Sequence, residues 1–184
     1  MRIGISGAQS VGKTTLLNAL RSEKKFKHYT ICDEVTRRVK SYGLPINEGG
    51  TDLTQQLIMQ EHIVNAFMYT DFIADRAVLD GLVYTDYLYI QNSVSLKMLQ
   101  YAVQVFEKVQ PYYDIQFYIV PEFSIQNDGV RSNDVLFRDK IVELFNNTIK
   151  KYKIPVINLT GSVRERVEQV IKAVEAKEEY NGRF

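Results

Sequence analysis

Residues 7–14 read Gly7-Ala8-Gln9-Ser10-Val11-Gly12-Lys13-Thr14, the spacing G-x-x-x-x-G-K-[ST]. Glycines at both ends let backbone amides turn inward around an anion with no Cβ in the way. The residues before the loop, Ile3-Gly4-Ile5-Ser6, form a short apolar run of strand type, and residues 14–20 continue as a helix. A loop that joins a strand to a helix N-terminus adds unpaired amides and the positive end of the helix dipole. Together these features predict a nucleoside-triphosphate site. Gly7, Ala8, Gln9, Ser10, Val11, Gly12, Lys13, Thr14 and Thr15 are its expected binding residues. Lys13 brings a cation to the β- and γ-phosphates, and the Thr14 hydroxyl is a ligand for Mg²⁺.

Beyond the loop, short apolar runs alternate with longer helical patterns. Residues 3–6, 29–32, 77–80, 115–120 and 156–159 read as strands, β-branched or aromatic and without polar alternation, as in strands covered on both faces. Residues 13–21, 34–42, 53–73, 82–91, 96–110, 135–152 and 163–176 fit helices. Leu96, Leu99, Val103 and Phe106 mark one helical face, and Val163, Val167, Val170 and Val174 another. The alternation predicts an α/β fold, a parallel sheet with helices on both faces and ligands at the carboxyl ends of its strands. No linker or internal repeat breaks the chain, and 184 residues suit a single domain over 1–184.

Composition then removes alternatives. Basic and acidic side chains number 23 and 22, a net +1, which excludes a chain held to nucleic acid or anionic membrane mainly by bulk charge. An apolar share of 45% argues against wholesale disorder. Cys32 stands alone, so there is neither a disulfide framework nor a cysteine-built metal site, and His28 and His62 cannot form a zinc site by themselves. No apolar run approaches the ~18 residues of a membrane-spanning helix. The glycine loop opens at Gly7, which leaves no room for a secretory leader, so a cytoplasmic location is expected.

Three further segments carry chemistry. Ala77-Val78-Leu79-Asp80-Gly81 reads as a strand ending in a carboxylate, with Asp80 placed to hold Mg²⁺ alongside Thr14 and to face the substrate. The plainer alternative is an aspartate that caps the helix at Leu82. After the second strand comes Asp33-Glu34-Val35-Thr36-Arg37-Arg38. Acids at a helix start are favoured by its dipole, but arginines there are not, so Arg37 and Arg38 point to a substrate anion or ribose and Asp33 or Glu34 to its hydroxyl. Residues 122–138 are polar, contain the turn signal Asp128-Gly129, and carry Arg131 and Arg138. Such a lid over a triphosphate can stabilise the transferring phosphoryl group, an effect worth ~10³–10⁵ in rate, and exclude water. A solvated loop is its alternative. Gln60 and His62 are expected on an exposed helix face rather than as base readers. Tyr84, Tyr87 and Tyr89 fit a core better than a stacking platform, and the lysine clusters at 24–27 and 150–153 fit a solvated surface.

The chain resembles small P-loop kinases of the nicotinamide-riboside-kinase-like ATPase group, common in bacteria and bacteriophages and related to nucleoside and nucleotide kinases. The resemblance rests on the loop over residues 7–14 and on Glu34-Val35-Thr36-Arg37, similar to the group's E-x-x-R. It rests also on Val78-Leu79-Asp80 with Tyr84 and Thr85, and on Asp128-Gly129-Val130-Arg131-Ser132 with Phe137-Arg138, similar to its D-G-x-R-S…F-R lid. Asn158-Leu159-Thr160-Gly161-Ser162 resembles the turn beside the adenine, which implies a donor-binding role for Gly161. One departure stands out: relatives often place a substrate-contacting arginine directly after the strand-three aspartate, where this reading has Gly81. The resemblance implies sheet order 2-3-1-4-5, Mg-ATP as donor, and Asp33 or Glu34 near the acceptor hydroxyl.

The expected function is therefore phosphoryl transfer from ATP, with Mg²⁺, to a nucleoside, nucleotide or nucleoside-like small molecule. Lys13, Asp33, Glu34, Arg131 and Arg138 are the expected catalytic residues; Glu34, Arg37, Arg38 and Asp80 the expected substrate-binding ones; Thr14 and Asp80 the metal ligands. Two alternatives remain open. One is a kinase acting on a modified base or end in DNA, and the other is an ATP-driven regulatory or binding module. A guanine-specific switch is discounted because the chain has no N-K-x-D.

Overall fold

The computed structural model describes residues 1–32, 35–121 and 132–182. A parallel sheet of five strands runs through it in the order β2-β3-β1-β4-β5, with β1 Arg2–Ser6, β2 Thr30–Cys32, β3 Phe72–Asp75, β4 Ile115–Ile119 and β5 Val156–Leu159. The helices are α1 Lys13–Ser22, α2 Val35–Ser41, α3 Asp52–Met68, α4 Val78–Ile90, α5 Leu96–Val109, α6 Ser132–Tyr152 and α7 Val163–Asn181. The α/β class and the strand order match the expectation from sequence.

Alternation along the strands divides the core. Ile3, Ile5, Ile73, Phe117, Ile119 and Leu159 pack with Leu16 and Leu20 of α1 and Val170 and Val174 of α7. On the other face, Tyr118 packs with Met59 of α3, Leu79 and Val83 of α4, Phe106 of α5 and Phe145 of α6. Both faces are covered, which is why the strands read as nearly continuous apolar runs. Among the described residues no helix is long and apolar enough to cross a membrane.

Strand three departs from the expectation. It is Phe72–Asp75, and Ala77-Val78-Leu79-Asp80 instead opens α4. Both runs are short, apolar and fully buried, so neither their length nor their pattern separates strand from buried helix. Hydrogen bonding does. Ile5 pairs with Asp75 in parallel register, and the Arg76 amide closes the ladder on the Ile5 carbonyl at 3.1 Å. The chain then turns at Arg76, whose φ of 77° is rare for a non-glycine residue. Asp80 caps the helix that follows, its Oδ2 accepting from the Ala77 amide at 3.1 Å. The predicted helix over 53–73 accordingly ends earlier, at Met68.

Candidate active site

The glycine loop leaves the carboxyl end of the central strand β1 and enters α1, as the mechanism of anion binding requires. Gly7, Ser10 and Gly12 have φ of 154°, 61° and 92°. At Gly12 that left-handed backbone combines with a neighbour. A Cβ there would stand 3.3 Å from Nη1 of Arg166, in the first turn of α7. Lys13 is buried, and its ammonium donates to the Gly7 and Ala8 carbonyls, each at 2.6 Å. Thr15 is exposed at the start of α1.

The Thr14 hydroxyl donates to Oδ2 of Asp75 at 3.2 Å, and Arg37 Nη2 lies 3.3 Å from the same hydroxyl. Asp75 is thus the strand-end carboxylate beside the loop. Asp80 lies one helical turn beyond the corrected strand, so the strand-end position from which its metal role was expected does not hold. It is fully buried, and its Oδ1 accepts from the Gly7 amide at 3.3 Å while Oδ2 caps α4. Burial raises its carboxyl above the ordinary range, against the pull of Lys13 and Arg76. The supposed departure at Gly81 disappears as well. The residue directly after the strand-three aspartate is Arg76, which the sequence reading passed over.

Arg76 belongs to a second group of residues. Its guanidinium lies 4.9 Å from the centre of the Tyr84 ring. Val35, Thr36, Asn47, Gln55, Ile58, His62, Arg76, Asp80 and Tyr84 line a small pocket with a volume of about 20 Å³. His62, expected on a solvated face, is buried in that wall, whereas Gln60 is exposed. Burial and then the nearby Arg76 charge lower the His62 imidazole to about 3, so it is neutral at physiological pH. Tyr84 joins this pocket to the loop, its hydroxyl donating to Oε1 of Gln9 at 3.1 Å. Its ring and that of Tyr87 meet Phe137 of α6 edge-on, at 6.1 and 4.7 Å, while Tyr89 is exposed.

Not every expected residue enters the site. Arg38 is exposed and pairs with Glu61 at 2.7 Å, because it lies on the side of α2 that faces α3. Asp33, Glu34, Arg131 and residues 122–130 lie outside the described residues. Arg138 is buried in α6 and lines a cleft of about 510 Å³ with Ser10, Val120, Pro121, Gly161 and Arg166. Arg166 is the other residue that sequence reasoning missed. It is buried, and its Nη1 donates to the Val11 carbonyl at 2.8 Å across 155 positions of sequence. Nothing local distinguishes it from the exposed Arg164, since only tertiary packing turns one inward.

No group of three or more His, Cys, Asp or Glu among the described residues could hold a metal by itself. The Thr14–Asp75 pair does suit Mg²⁺, which commonly takes one or two protein oxygens and completes its shell with phosphate and water. The loop suits a polyphosphate, because Gly7 and Gly12 adopt positive φ where a Cβ would press on Val11, the Ile119 carbonyl and Arg166, and the Lys13 ammonium lies within the turn.

A family model described as AAA domain matches residues 2–166. Among solved structures, the chain is similar to deoxyadenosine kinase from M. mycoides with dCMP and dCDP bound, at TM-score 0.66 and 18% identity over 96% of this chain and 100% of that one. It is similar also to the YorR protein of Bacillus subtilis in complex with phosphorylated GDP, at 0.62 and 17% over 97% and 98%. The NadR protein in complex with NR gives 0.68 and 14%, covering 95% of this chain and 50% of that one. The chain thus spans about half the length of NadR. No curated protein matches it.

Proposed function

From the premise that the chain belongs to the AAA domain family and has the fold of P-loop nucleoside and nucleotide kinases, we propose that it is a phosphotransferase. It moves the terminal phosphoryl group of ATP to a nucleoside, a nucleotide or a similar small molecule. One observation carries the reading: Asp80 and Tyr84 line the small pocket and bond directly to the glycine loop, at Gly7 and Gln9. A pocket that shares a wall with the loop lies within transfer distance of it, and at about 20 Å³ it would admit an acceptor only as its walls part.

Gly7 to Thr15 would receive the phosphates. Lys13 would exchange its bonds to the Gly7 and Ala8 carbonyls for phosphate oxygens. Thr14 and Asp75 would hold Mg²⁺, which supplies positive charge to the β- and γ-phosphates when bound. On the acceptor side, Arg76 takes the place the resemblance gives to a substrate-contacting arginine, and Arg37 reaches the same region from α2. Asp33 or Glu34 would accept the proton of an attacking hydroxyl, whereas a phosphate acceptor would rely on Arg37 and Arg76. Arg138, with Arg131, would neutralise charge from the lid side, and Gly161 would border the donor base.

An ADP-release assay with Mg-ATP tests this over nucleosides, nucleoside monophosphates, nicotinamide riboside and short DNA. The expected result is release that depends on one small-molecule class. Release at an equal rate with no acceptor would remove the kinase reading in favour of an ATP-driven module. Release only with DNA would move the acceptor to nucleic acid.

A further inference from the structure

The contact between Arg166 and the Val11 carbonyl links two parts of the molecule that the chemistry outlined so far leaves separate. Arg166 follows the turn 160–162 at the amino end of α7. That turn is held by reciprocal bonds between Thr160 and Gln169 and by the Ser162–Glu165 capping box. From there the guanidinium reaches the back of the glycine loop. It takes the Val11 carbonyl at 2.8 Å and stands 3.3 Å from where a Cβ of Gly12 would be. In a planar trans peptide unit whose carbonyl is tied on one side, the N–H of the next residue, Gly12, is turned toward the other. Arg166 is buried and its bond half-buried, and a charged donor makes that bond worth more than a neutral surface contact.

We propose that Arg166 is a positioning residue that sets the phosphate loop in its anion-binding shape by holding the Val11 carbonyl from α7. The proposal rests on the donor-site reading above. It assigns the residue to the phosphates, through the loop, although it also lines the cleft beside Gly161 where a donor base would sit. The two roles make opposite predictions for a ligand that has phosphates and no base.

Calorimetric binding of inorganic tripolyphosphate and of ATP, each with Mg²⁺, separates them in the wild type and in Arg166→Met, with thermal unfolding of each unliganded protein measured in parallel. The expected result is that both affinities fall by a common factor of about ten or more, the scale of a lost hydrogen bond from a charged donor. Loss of ATP affinity with tripolyphosphate unchanged would overturn the proposal and place Arg166 on the base. Unchanged affinities with a lower unfolding temperature would overturn it too, leaving Arg166 as packing alone. Should Arg166→Met not fold, Arg166→Gln carries the same comparison under the same criteria. If the wild type binds neither ligand, the donor-site reading itself fails, a result distinct from all of these.

Discussion

Gly12 occupies left-handed backbone, with φ of 92°, against a guanidinium that leaves little room for a methyl group. Gly12→Ala should cost about 1–2 kcal/mol of stability from the backbone alone, read as a shift in denaturant midpoint at unchanged slope. Asp75 makes a different kind of claim, about charge. Asp75→Asn keeps an oxygen for the Thr14 hydroxyl and removes the negative charge, so the Mg²⁺ concentration for half-maximal activity should rise at least about tenfold. Asp80→Asn should leave that concentration where it is, because the Asp80 oxygens serve the Gly7 and Ala77 amides. A Mg²⁺ titration of both variants decides which carboxylate attends the metal. Equal shifts would return Asp80 to the metal site.

Helix α3 puts a neutral histidine where its surface was expected. His62 is lowered to about 3 by burial, with Nδ1 lacking a hydrogen-bond partner among the described residues. Its unfolded pKa is near 6.5, so below that pH the unfolded chain takes up a proton that the folded one refuses. Stability should therefore fall as pH drops from about 6.5 toward 3, with a limiting slope of about 1.4 kcal/mol per pH unit from this group. The raised carboxyl of Asp80 acts with opposite sign, favouring the folded state as it protonates. Denaturant midpoints between pH 7 and 4.5 for wild type and His62→Gln isolate the histidine: the variant should lose the acid-side slope. Persistence of that slope would show that His62 is not its source.

The same element scale explains what could be read from the chain unaided. The loop, the central strand before it and the parallel α/β class were legible because a strict motif and a regular alternation each leave little freedom, whereas the strand order came from the family resemblance. Phe72 and Ile73 were absorbed into the preceding helix, Ala74 and Asp75 fell between elements, and Ala77-Val78-Leu79-Asp80 took the strand's place, since burial on every side erases the period of either element. Arg76 was lost with that strand although the Asp75-Arg76 pair was a usable signal. Arg166 had none, since its partner is set by the packing of α7 on α1.

At the scale of the whole molecule, donor binding should register as stability. A ligand at a hundredfold excess over its Kd adds about 2.7 kcal/mol. For a chain of 184 residues that corresponds to a rise in Tm of about 5–10 °C with Mg-ATP. Lys13→Ala should fold yet lose that rise, which differential scanning fluorimetry reads directly; a retained rise would move the donor site away from the loop. The central position of β1 has another consequence, in time rather than space. Its partners β3 and β4 are translated long after it, and the guanidinium that holds Val11 comes later still. A ribosome that has extruded the chain through β4 has delivered every residue of the loop, with the Asp80 and Tyr84 that bond to it, but not the guanidinium that holds Val11. During synthesis the loop therefore waits for α7 before its Val11 carbonyl is held.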